Sequence, residues 1–263
     1  MIVLFLQGGF AYCYQFTLAA REMVLAGKVV AKKSLSRERA RQKLLGEIRV
    51  HRALSHHRVV QFETFFEDHA NVYIMLELCP NQSLAELVRR RRRLTEPEAA
   101  VLLLQLLEGL RYLHKHNVIH RDLKLGNLFL DEACGIKIGD FGLAALLDHD
   151  EERKRTVCGT PNYIGPEVLD GARASGGGHS FQVDVWSCGV ILFAMLCGRP
   201  PFETKDVRST YKRIREGKFR FPSDATVSEH ARDLITKMLA VSPEDRPTID
   251  EVAHHPFFTA PSV

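Results

Sequence analysis

A polar motif in the middle of the chain places the strongest constraint on its fold and its chemistry. Asp122 ends the triplet His-Arg-Asp, Asn127 follows five residues later, and Asp140 opens the triplet Asp-Phe-Gly. An aspartate can orient a hydroxyl group and accept its proton, while amide and carboxylate oxygens are the ligands that Mg²⁺ prefers. Asp122 suits the first task, and Asn127 and Asp140 suit the second. We therefore predict a phosphoryl-transfer centre that stabilises developing charge.

The motif resembles the signature of protein kinases, and Lys124 makes the resemblance more specific. A lysine two residues after the aspartate is typical of serine/threonine kinases, where its ammonium group supports the transferring phosphate. Tyrosine kinases usually carry alanine or arginine nearby. The alternative is a polar β-hairpin loop that contains His-Arg-Asp by chance. The Asp-Phe-Gly triplet at the appropriate distance favours the kinase signature.

Length and composition are compatible with a globular protein that has two lobes. The 263 residues are 45% hydrophobic and 26% charged, and a net charge of +4 favours acidic partners only weakly. The six cysteines form neither C-x-x-C pairs nor a zinc-like spacing, so we expect reduced thiols in an intracellular protein. The apolar residues 1–6 are too few for a signal sequence or a membrane span, and they predict a strand.

The hydrophobic pattern changes near residue 80, which predicts two lobes. Residues 1–78 contain five β-type runs and one helical segment at 37–54, which predicts an antiparallel five-stranded sheet with one regulatory helix. From Ser83 onward the pattern is helical, and the expected helices span 96–116, 182–196, 206–216, 228–239 and 248–254. The predicted fold class is α+β, a bilobal protein-kinase fold over 1–258. Its expected parts are a small β-rich N-lobe (1–78), a hinge at about 76–82, a larger mainly helical C-lobe (83–258) and a tail (259–263).

A glycine pair near the start of the chain is a candidate phosphate-binding loop. Gly8, Gly9, Phe10 and Ala11 lie between two predicted strands, where backbone amides without bulky side chains can approach a nucleotide. The stretch departs from the pattern G-x-G-x-x-G because Leu6 and Ala11 replace two of its glycines. A simple hairpin turn is the alternative.

One of three lysines must contact the nucleotide phosphates if the kinase signature is functional. Lys28 lies in an apolar strand, in the pattern Ala-x-Lys, and Glu47 follows nineteen residues later on the predicted helix. Lys32 and Lys33 lie nearer the end of the strand, where solvation is expected. We therefore predict an ion pair between Lys28 and Glu47.

The end of the fifth strand is the expected hinge, whose backbone groups would contact adenine. Leu76 is the expected gatekeeper, and Glu77 and Cys79 would supply the backbone contacts. Ordinary core packing is the alternative for an apolar strand end. The residues expected to enclose the adenine ring are Val30 or Ala26 above it and Phe129 below it.

Two threonines lie in the segment that follows Asp-Phe-Gly. Thr156 stands sixteen residues after Asp140 among basic residues, and a phosphate there would add about −1.5 to −2 charge for Arg121 to pair with. A merely solvated threonine is the alternative. Thr160 is expected to support Asp122 together with Lys124.

Three further charged residues are expected to have structural roles. Gly165-Pro166-Glu167 stands where kinases have Ala-Pro-Glu, and Glu167 is expected to pair with Arg246. Asp184, in Asp-Val-Trp-Ser, is expected to hold the backbone of the catalytic loop. Gly165 itself is expected to loosen the anchor of the segment.

The chain resembles the polo-like subfamily of serine/threonine kinases over about residues 1–258. The residues that carry this resemblance are Gly8-Gly9-Phe10-Ala11-x-Cys13-Tyr14, Leu125-Gly126, Glu77-Leu78-Cys79, Cys158-Gly159-Thr160-Pro161-Asn162-Tyr163 and Phe129, with Cys13 and Phe129 matching pocket-lining positions. The resemblance implies ATP- and Mg²⁺-dependent phosphorylation of serine or threonine near acidic residues, in cell-cycle control, with an upstream kinase acting on Thr156. Polo-like kinases also carry a C-terminal polo-box region, which this sequence does not contain, so we expect a fragment or a form without that targeting.

Two other classes of function compete with a kinase. A pseudokinase-like binding module would explain Leu6 and Ala11, although every charged group that the chemistry needs is present. A nucleic-acid-binding protein could use Arg89–Arg93, but a run of five arginines without aromatic residues predicts a solvated helix end. We expect protein substrates, no nucleic acid, no membrane partner and a monomer. The expected location is the cytoplasm or nucleus, with the centrosome or spindle implied only by the resemblance.

Overall fold

The computed structural model describes residues 2–7, 12–18, 23–149, 152–171 and 178–259. The chain divides into two compact units, the first comprising Met1–Gln82 with Phe129–Gly142 and the second Ser83–Leu128 with Leu143–Val263. The second unit begins where the sequence predicted the C-lobe. Residues 129–142 differ from the prediction, because they were expected in the C-lobe and belong to the first unit.

The first unit is built on a five-stranded antiparallel sheet with one helix, as predicted. The strands are β1 (Ile2–Gln7), β2 (Tyr12–Leu18), β3 (Met23–Ala31), β4 (Phe62–Glu67) and β5 (Asn71–Glu77), in the spatial order β1-β2-β3-β5-β4. A short 3₁₀ helix (Lys32–Leu35) leads into helix α1 (Glu38–Arg52). Leu44 and Ile48 of α1 bury against Val30, Val72 and Ile74 of the sheet, which fixes the helix on one sheet face.

Residues 129–142 belong to the first unit because their backbone completes its hydrogen bonds. Strands β7 (Leu128–Leu130) and β8 (Ile136–Ile138) form a two-stranded sheet. Val60 N donates to Ile138 O at 2.9 Å, and Leu130 N donates to Gln82 O at 2.9 Å. The pairing with β8 also explains why β4 begins at Phe62, three residues later than predicted.

The second unit is mainly helical. Its helices are α2 (Leu84–Arg91), α3 (Glu96–Lys115), α4 (Pro166–Asp170), α5 (Gln182–Cys197), α6 (Val207–Arg215), α7 (Glu229–Met238) and α8 (Ile249–Ala253). Strands β6 (Val118–Ile119) and β9 (Ala145–Leu146) pair with each other, and short 3₁₀ helices span Leu125–Asn127, Pro243–Asp245 and Pro256–Phe258. The predicted caps Thr95, Ser228 and Thr248 each accept a hydrogen bond from the third backbone N–H of their helix.

Helix α5 forms the centre of the second unit. All its residues from Val183 to Cys197 are buried, as its uniformly apolar sequence predicted. Trp186 stacks on Phe202 with ring centroids 5.3 Å apart, and Leu103 and Leu107 of α3 are buried as well. Of the helices within the described ranges, none combines the length and apolarity that a membrane crossing needs.

Candidate active site

The catalytic loop between β6 and β7 gathers four of the predicted residues into one cluster in the second unit. Asp122 Oδ2 accepts from Lys124 Nζ at 2.8 Å and from Asn127 Nδ2 at 3.1 Å, while Asp122 Oδ1 accepts from Thr160 Oγ1 at 2.7 Å. Lys124 Nζ also donates to Thr160 Oγ1 at 2.9 Å. The aspartate is buried and held from both sides, so its carboxylate has a fixed orientation.

Asp184 holds the backbone of this loop from helix α5, as predicted. Its carboxylate accepts from the backbone N–H groups of His120 and Arg121, both at 3.0 Å, and lies 2.9 Å from His114 Nε2. Burial alone would raise the pKa of Asp184, but the hydrogen bond and charge of His114 and the neighbouring His120 lower it below its usual range. The ionised carboxylate therefore fixes the backbone of the loop.

His114 was missed in the sequence because nothing in its helical context marks it as a partner of Asp184.

The predicted metal ligands each present an oxygen suited to a hard cation. Asn127 donates its amide nitrogen to Asp122 O at 2.9 Å, so its amide oxygen faces away from that bond and remains an acceptor. In the first unit, Asp140 adopts a left-handed backbone conformation with φ 59°, and its side chain is partly exposed. An amide oxygen and a carboxylate are each ligands that Mg²⁺ accepts.

Lys28 and Glu47 form the predicted ion pair within the first unit. Lys28 Nζ lies 2.5 Å from Glu47 Oε1 and 3.5 Å from Asp140 Oδ1. Burial alone would lower the pKa of Lys28, but the charges of Glu47 and Asp140 outweigh it and raise the pKa above its usual value. Lys28 therefore stays charged at neutral pH. Neither Lys32, which pairs with Glu67 at 3.1 Å, nor Lys33 shares this environment.

The predicted adenine-contacting residues lie on adjacent strands of the first unit. Ala26 on β3 is paired in register with Leu76 on β5. Val30, the alternative to Ala26, is buried in the core against α1, which leaves Ala26 as the candidate. Glu77 N donates to Gln61 O at 2.9 Å, so this N–H group is already engaged within the first unit. Cys79 is buried, and burial raises the pKa of its thiol to about 12.

Two further candidates lie beside these strands. Cys13 on β2 is paired in register with Lys28, and burial raises the pKa of its thiol. The ring of Phe129 packs closely on Gly139, and a Cβ atom added to Gly139 would lie 2.8 Å from this ring. Gly8, Gly9, Phe10 and Ala11, the predicted phosphate loop, lie outside the described residues.

The segment after Asp-Phe-Gly brings its basic stretch close to the helical core of the second unit. Thr156 is exposed, and two residues before it Lys154 pairs through its backbone with His179. Arg121 has φ 64°, and its Nε donates to Leu143 O at 2.7 Å. Thr156 is therefore accessible to another enzyme, and its pairing with Arg121 stays a prediction.

Glu167 and Arg246 form the predicted structural ion pair. The guanidinium group makes two parallel bonds to the carboxylate, at 2.7 and 2.8 Å, and also donates to three backbone carbonyls (Ala240, Val241 and Gln182). A Cβ at Gly165 would lie 2.6 Å from Glu167 Oε2, so glycine there leaves room for the paired carboxylate.

A cavity beside the catalytic loop was missed in the sequence. It has a volume of about 460 Å³ and is lined by Lys124, Arg89, Arg92, Tyr163 and other residues of the second unit. Arg89 and Arg92 belong to the arginine run that was predicted to be a solvated helix end. Both are exposed, which confirms that prediction. Their position beside the catalytic loop was not predicted, because α2 and this loop are far apart in sequence.

Comparison with known proteins identifies the family. The protein kinase domain matches residues 6–258, which is nearly the whole chain. The chain belongs to the protein kinase family. The match confirms the predicted bilobal kinase fold, and family membership implies the use of ATP, a divalent metal ion and protein substrates.

Several relatives carry names of serine/threonine kinases. The chain is 55% identical to the probable serine/threonine-protein kinase CCRP1 of Zea mays over 95% of the chain and 40% of the relative. It is 50% identical to the cell cycle serine/threonine-protein kinase CDC5/MSD2 of Saccharomyces cerevisiae over 96% of the chain and 35% of the relative. With the serine/threonine-protein kinase PLK1 of Xenopus laevis it shares 49% identity over 97% of the chain and 41% of the relative.

These relatives confirm the resemblance to polo-like kinases. They give no support to the alternative of a pseudokinase-like binding module. The chain spans about two fifths of the length of the relatives that it matches.

Proposed function

We propose that the chain is a serine/threonine protein kinase of the polo-like type, which transfers the γ-phosphate of ATP to protein hydroxyl groups. The observation that carries the proposal is the cluster in which Lys124, Asn127 and Thr160 hold Asp122. An aspartate fixed in this way can accept a hydrogen bond from a serine or threonine hydroxyl and take its proton as the phosphoryl group is transferred.

Each unit supplies part of the chemistry. In the second unit, Asp122 orients the hydroxyl and Lys124 places positive charge beside the transferring phosphoryl group. In the first unit, Lys28, held by Glu47, binds phosphate oxygens of the donor. Asn127 and Asp140 would each offer an oxygen ligand to Mg²⁺, which would neutralise charge on the phosphates. The contribution of the protein is positioning and electrostatic stabilisation.

The cavity beside the catalytic loop supports a preference for acidic residues near the phosphorylated hydroxyl. Arg92 and Lys124 line it, and Arg89 also lines it while pairing with Glu86 at 2.6 Å. A carboxylate on the substrate would enter a positively charged site next to the catalytic lysine. The expected result is a higher kcat/KM for a peptide with acidic flanks than for its alanine counterpart, with the difference reduced in Arg92→Ala.

Phosphorylation of Thr156 by an upstream kinase is the proposed switch. Thr156 is exposed in a basic segment, and Arg121 lies beside the catalytic aspartate in sequence. A phosphate on Thr156 would draw the segment toward that guanidinium group.

We further propose that the protein acts as a monomer in the cytoplasm or nucleus. We also propose a role in cell-cycle control, which the name of the yeast relative suggests.

The experiment that tests the kinase proposal compares the unaltered chain with Asp122→Asn in phosphate transfer from Mg-ATP to a serine peptide with acidic flanks. The expected loss is about a hundredfold to ten-thousandfold in kcat, the usual contribution of a positioned acid or base. Nucleotide binding, measured by calorimetric titration, should be retained. Equal transfer by both proteins would refute the role of Asp122.

A further inference from the structure

The hinge segment, which we define as residues 76–82, is bound at its start by a lysine of strand β8. Lys137 Nζ lies 2.7 Å from Glu77 Oε1 and 2.8 Å from Glu77 Oε2. The two side chains are 13% and 28% exposed, so this ion pair is better shielded from water than a surface pair. Lys137 therefore fixes the side chain of Glu77 beside β8.

Glu77 transmits this contact to the backbone of the first unit. Glu77 Oε2 accepts from Gln61 N at 3.0 Å, and Glu77 N donates to Gln61 O at 2.9 Å. The preceding residue, Val60, donates its N–H to Ile138 O at 2.9 Å, on the same strand as Lys137. The contacts therefore form a closed network of main-chain and side-chain bonds around the start of the hinge segment.

The other end of the hinge segment is bound by strand β7 and the turn that follows it. Asn81 Nδ2 donates to Asp131 O at 2.7 Å, and Leu130 N donates to Gln82 O at 2.9 Å. The turn 131–135 is itself fixed, because Asp131 Oδ1 accepts from two of its backbone N–H groups at 2.8 and 3.0 Å. The sheet of β7 and β8 thus holds the hinge segment at both ends.

Cys79 lies between these two sets of contacts and is buried. Burial raises the pKa of its thiol to about 12. The nearby charges that also act on this thiol belong to both sets: Glu77, Lys137 and Asp131. Among the described residues, no hydrogen bond uses the backbone N–H of Cys79. A buried N–H group is costly to leave unpaired, so this donor favours a ligand that brings an acceptor.

We infer that Lys137 and Asn81 are positioning residues for the nucleotide, which hold the hinge segment so that Cys79 N meets the adenine ring. Lys137 acts through Glu77, and Asn81 acts through the turn 131–135. Contacts to adenine are the same in the ground state and the transition state, so their loss weakens binding more than it slows transfer. The inference rests on the proposed function, since it takes ATP as the donor and the hinge segment as its adenine contact.

The test measures KM for ATP and kcat in phosphate transfer, and Kd for Mg-ATP by calorimetric titration. Lys137→Met removes the charge and is expected to raise KM and Kd about tenfold while kcat changes less than about threefold. Lys137→Arg keeps the charge and should restore most of the affinity. Asn81→Ala removes one exposed hydrogen bond and should raise KM and Kd about threefold.

Two further variants control for the route of the effect. Lys32→Met is the matched control, because Lys32 pairs with Glu67 at 3.1 Å beyond the opposite end of β3, and it should leave KM and Kd unchanged. Glu77→Gln keeps an acceptor for Gln61 N and loses the charge. Combined with Lys137→Met, it should bind ATP no more weakly than Lys137→Met alone, because both act through one pair.

A rise in KM without a matching fall in kcat, reversed by Lys137→Arg, would support the inference. It is overturned if a folded Lys137→Met keeps the KM and Kd of the unaltered chain, if kcat falls while KM stays, or if the effects of Lys137→Met and Glu77→Gln simply add. Asn81→Ala changes an exposed side chain, so it tests the inference even if Lys137→Met does not fold. An unaltered chain that binds Mg-ATP without transferring phosphate would refute the kinase proposal alone, and the comparison of Kd values would still decide the inference.

Discussion

Two ion pairs, one in each unit, differ in how completely their donors and acceptors are used. Arg246 and Glu167 are 0% and 5% exposed, and the guanidinium group is surrounded by the carboxylate, three carbonyls and the face of Trp186 at 4.9 Å. Lys28 and Glu47 are 21% and 9% exposed, and the ammonium group has one hydrogen-bond acceptor among the described residues. Arg246 has no capacity left for a ligand, whereas Lys28 retains donors.

The difference separates a structural pair from a reactive one. A buried pair whose hydrogen bonds are all internal contributes by fixing the elements that it joins, and removing one partner leaves an uncompensated charge. A pair with free donors holds a charge in place for a further anion, which is the requirement of phosphate binding. We therefore expect stability to depend on Arg246 and transfer to depend on Lys28.

Arg246→Ala should have the largest effect on stability. The substitution leaves the buried carboxylate of Glu167 without its ion-pair partner in the second unit. The free energy of unfolding is therefore expected to fall by about 3–5 kcal/mol. Urea unfolding followed by the fluorescence of Trp186, the only tryptophan in the chain, measures this loss. Lys28→Met, the matched control in the other unit, should leave that transition nearly unchanged. A small effect of Arg246→Ala would remove the contrast between the two pairs.

His179 contrasts with Arg246 within the second unit, because the nitrogens of its buried imidazole ring have no hydrogen-bond partner among the described residues. Burial, together with the charge of Arg121, lowers the pKa of His179 to about 4. Since the unfolded chain binds the proton more readily, stability should fall as the pH drops from about 6.5 to 4, by roughly 3 kcal/mol at the limit.

The measurement for His179 is the free energy of unfolding as a function of pH for the unaltered chain and for His179→Leu. The variant should lose the part of the acid-induced destabilisation that lies between pH 6.5 and pH 4, with roughly 2 kcal/mol of it already lost at pH 5. Parallel curves for the two proteins would show that His179 does not titrate in this window.

Thr160→Ala extends the comparison to the catalytic cluster. The hydroxyl donates to Asp122 and accepts from Lys124, and its loss leaves both charged groups in place but less well oriented. We expect a decrease in kcat of about tenfold, corresponding to roughly 1.4 kcal/mol, with little change in stability. Thr160→Ser, which keeps the hydroxyl, should restore most of the rate. Identical rates in the alanine and serine variants would contradict this role.

Gly46→Ala should have the smallest effect and the opposite sign. Gly46 precedes Glu47 on α1, is exposed, and has no atom within 4 Å of the position of an added Cβ. Alanine should stabilise the helix by about 0.5–1 kcal/mol because it restricts the unfolded chain and favours helix. Thermal unfolding measures this gain, and a destabilised variant would indicate that α1 needs the freedom of glycine.

The site could be predicted where its residues are close in sequence or follow a characteristic spacing. Asp122, Asn127 and Asp140 lie in one stretch, and Lys28 and Glu47 lie on neighbouring elements whose periodicity is clear. The association of residues 129–142 with the first unit, the contact of His114 with Asp184 and the arginines beside the catalytic loop could not be predicted. They depend on tertiary packing between distant parts of the chain, which leaves no local pattern.

The most direct test of the distinction between the two pairs is the initial rate of phosphate transfer from Mg-ATP to a serine peptide by the unaltered chain and by Lys28→Met. The account predicts a rate at least about a hundredfold lower in the variant, as for the loss of a preorganised charge at a reacting centre. Its unfolding midpoint should stay close to that of the unaltered chain. Transfer at a similar rate by a folded Lys28→Met would contradict the account.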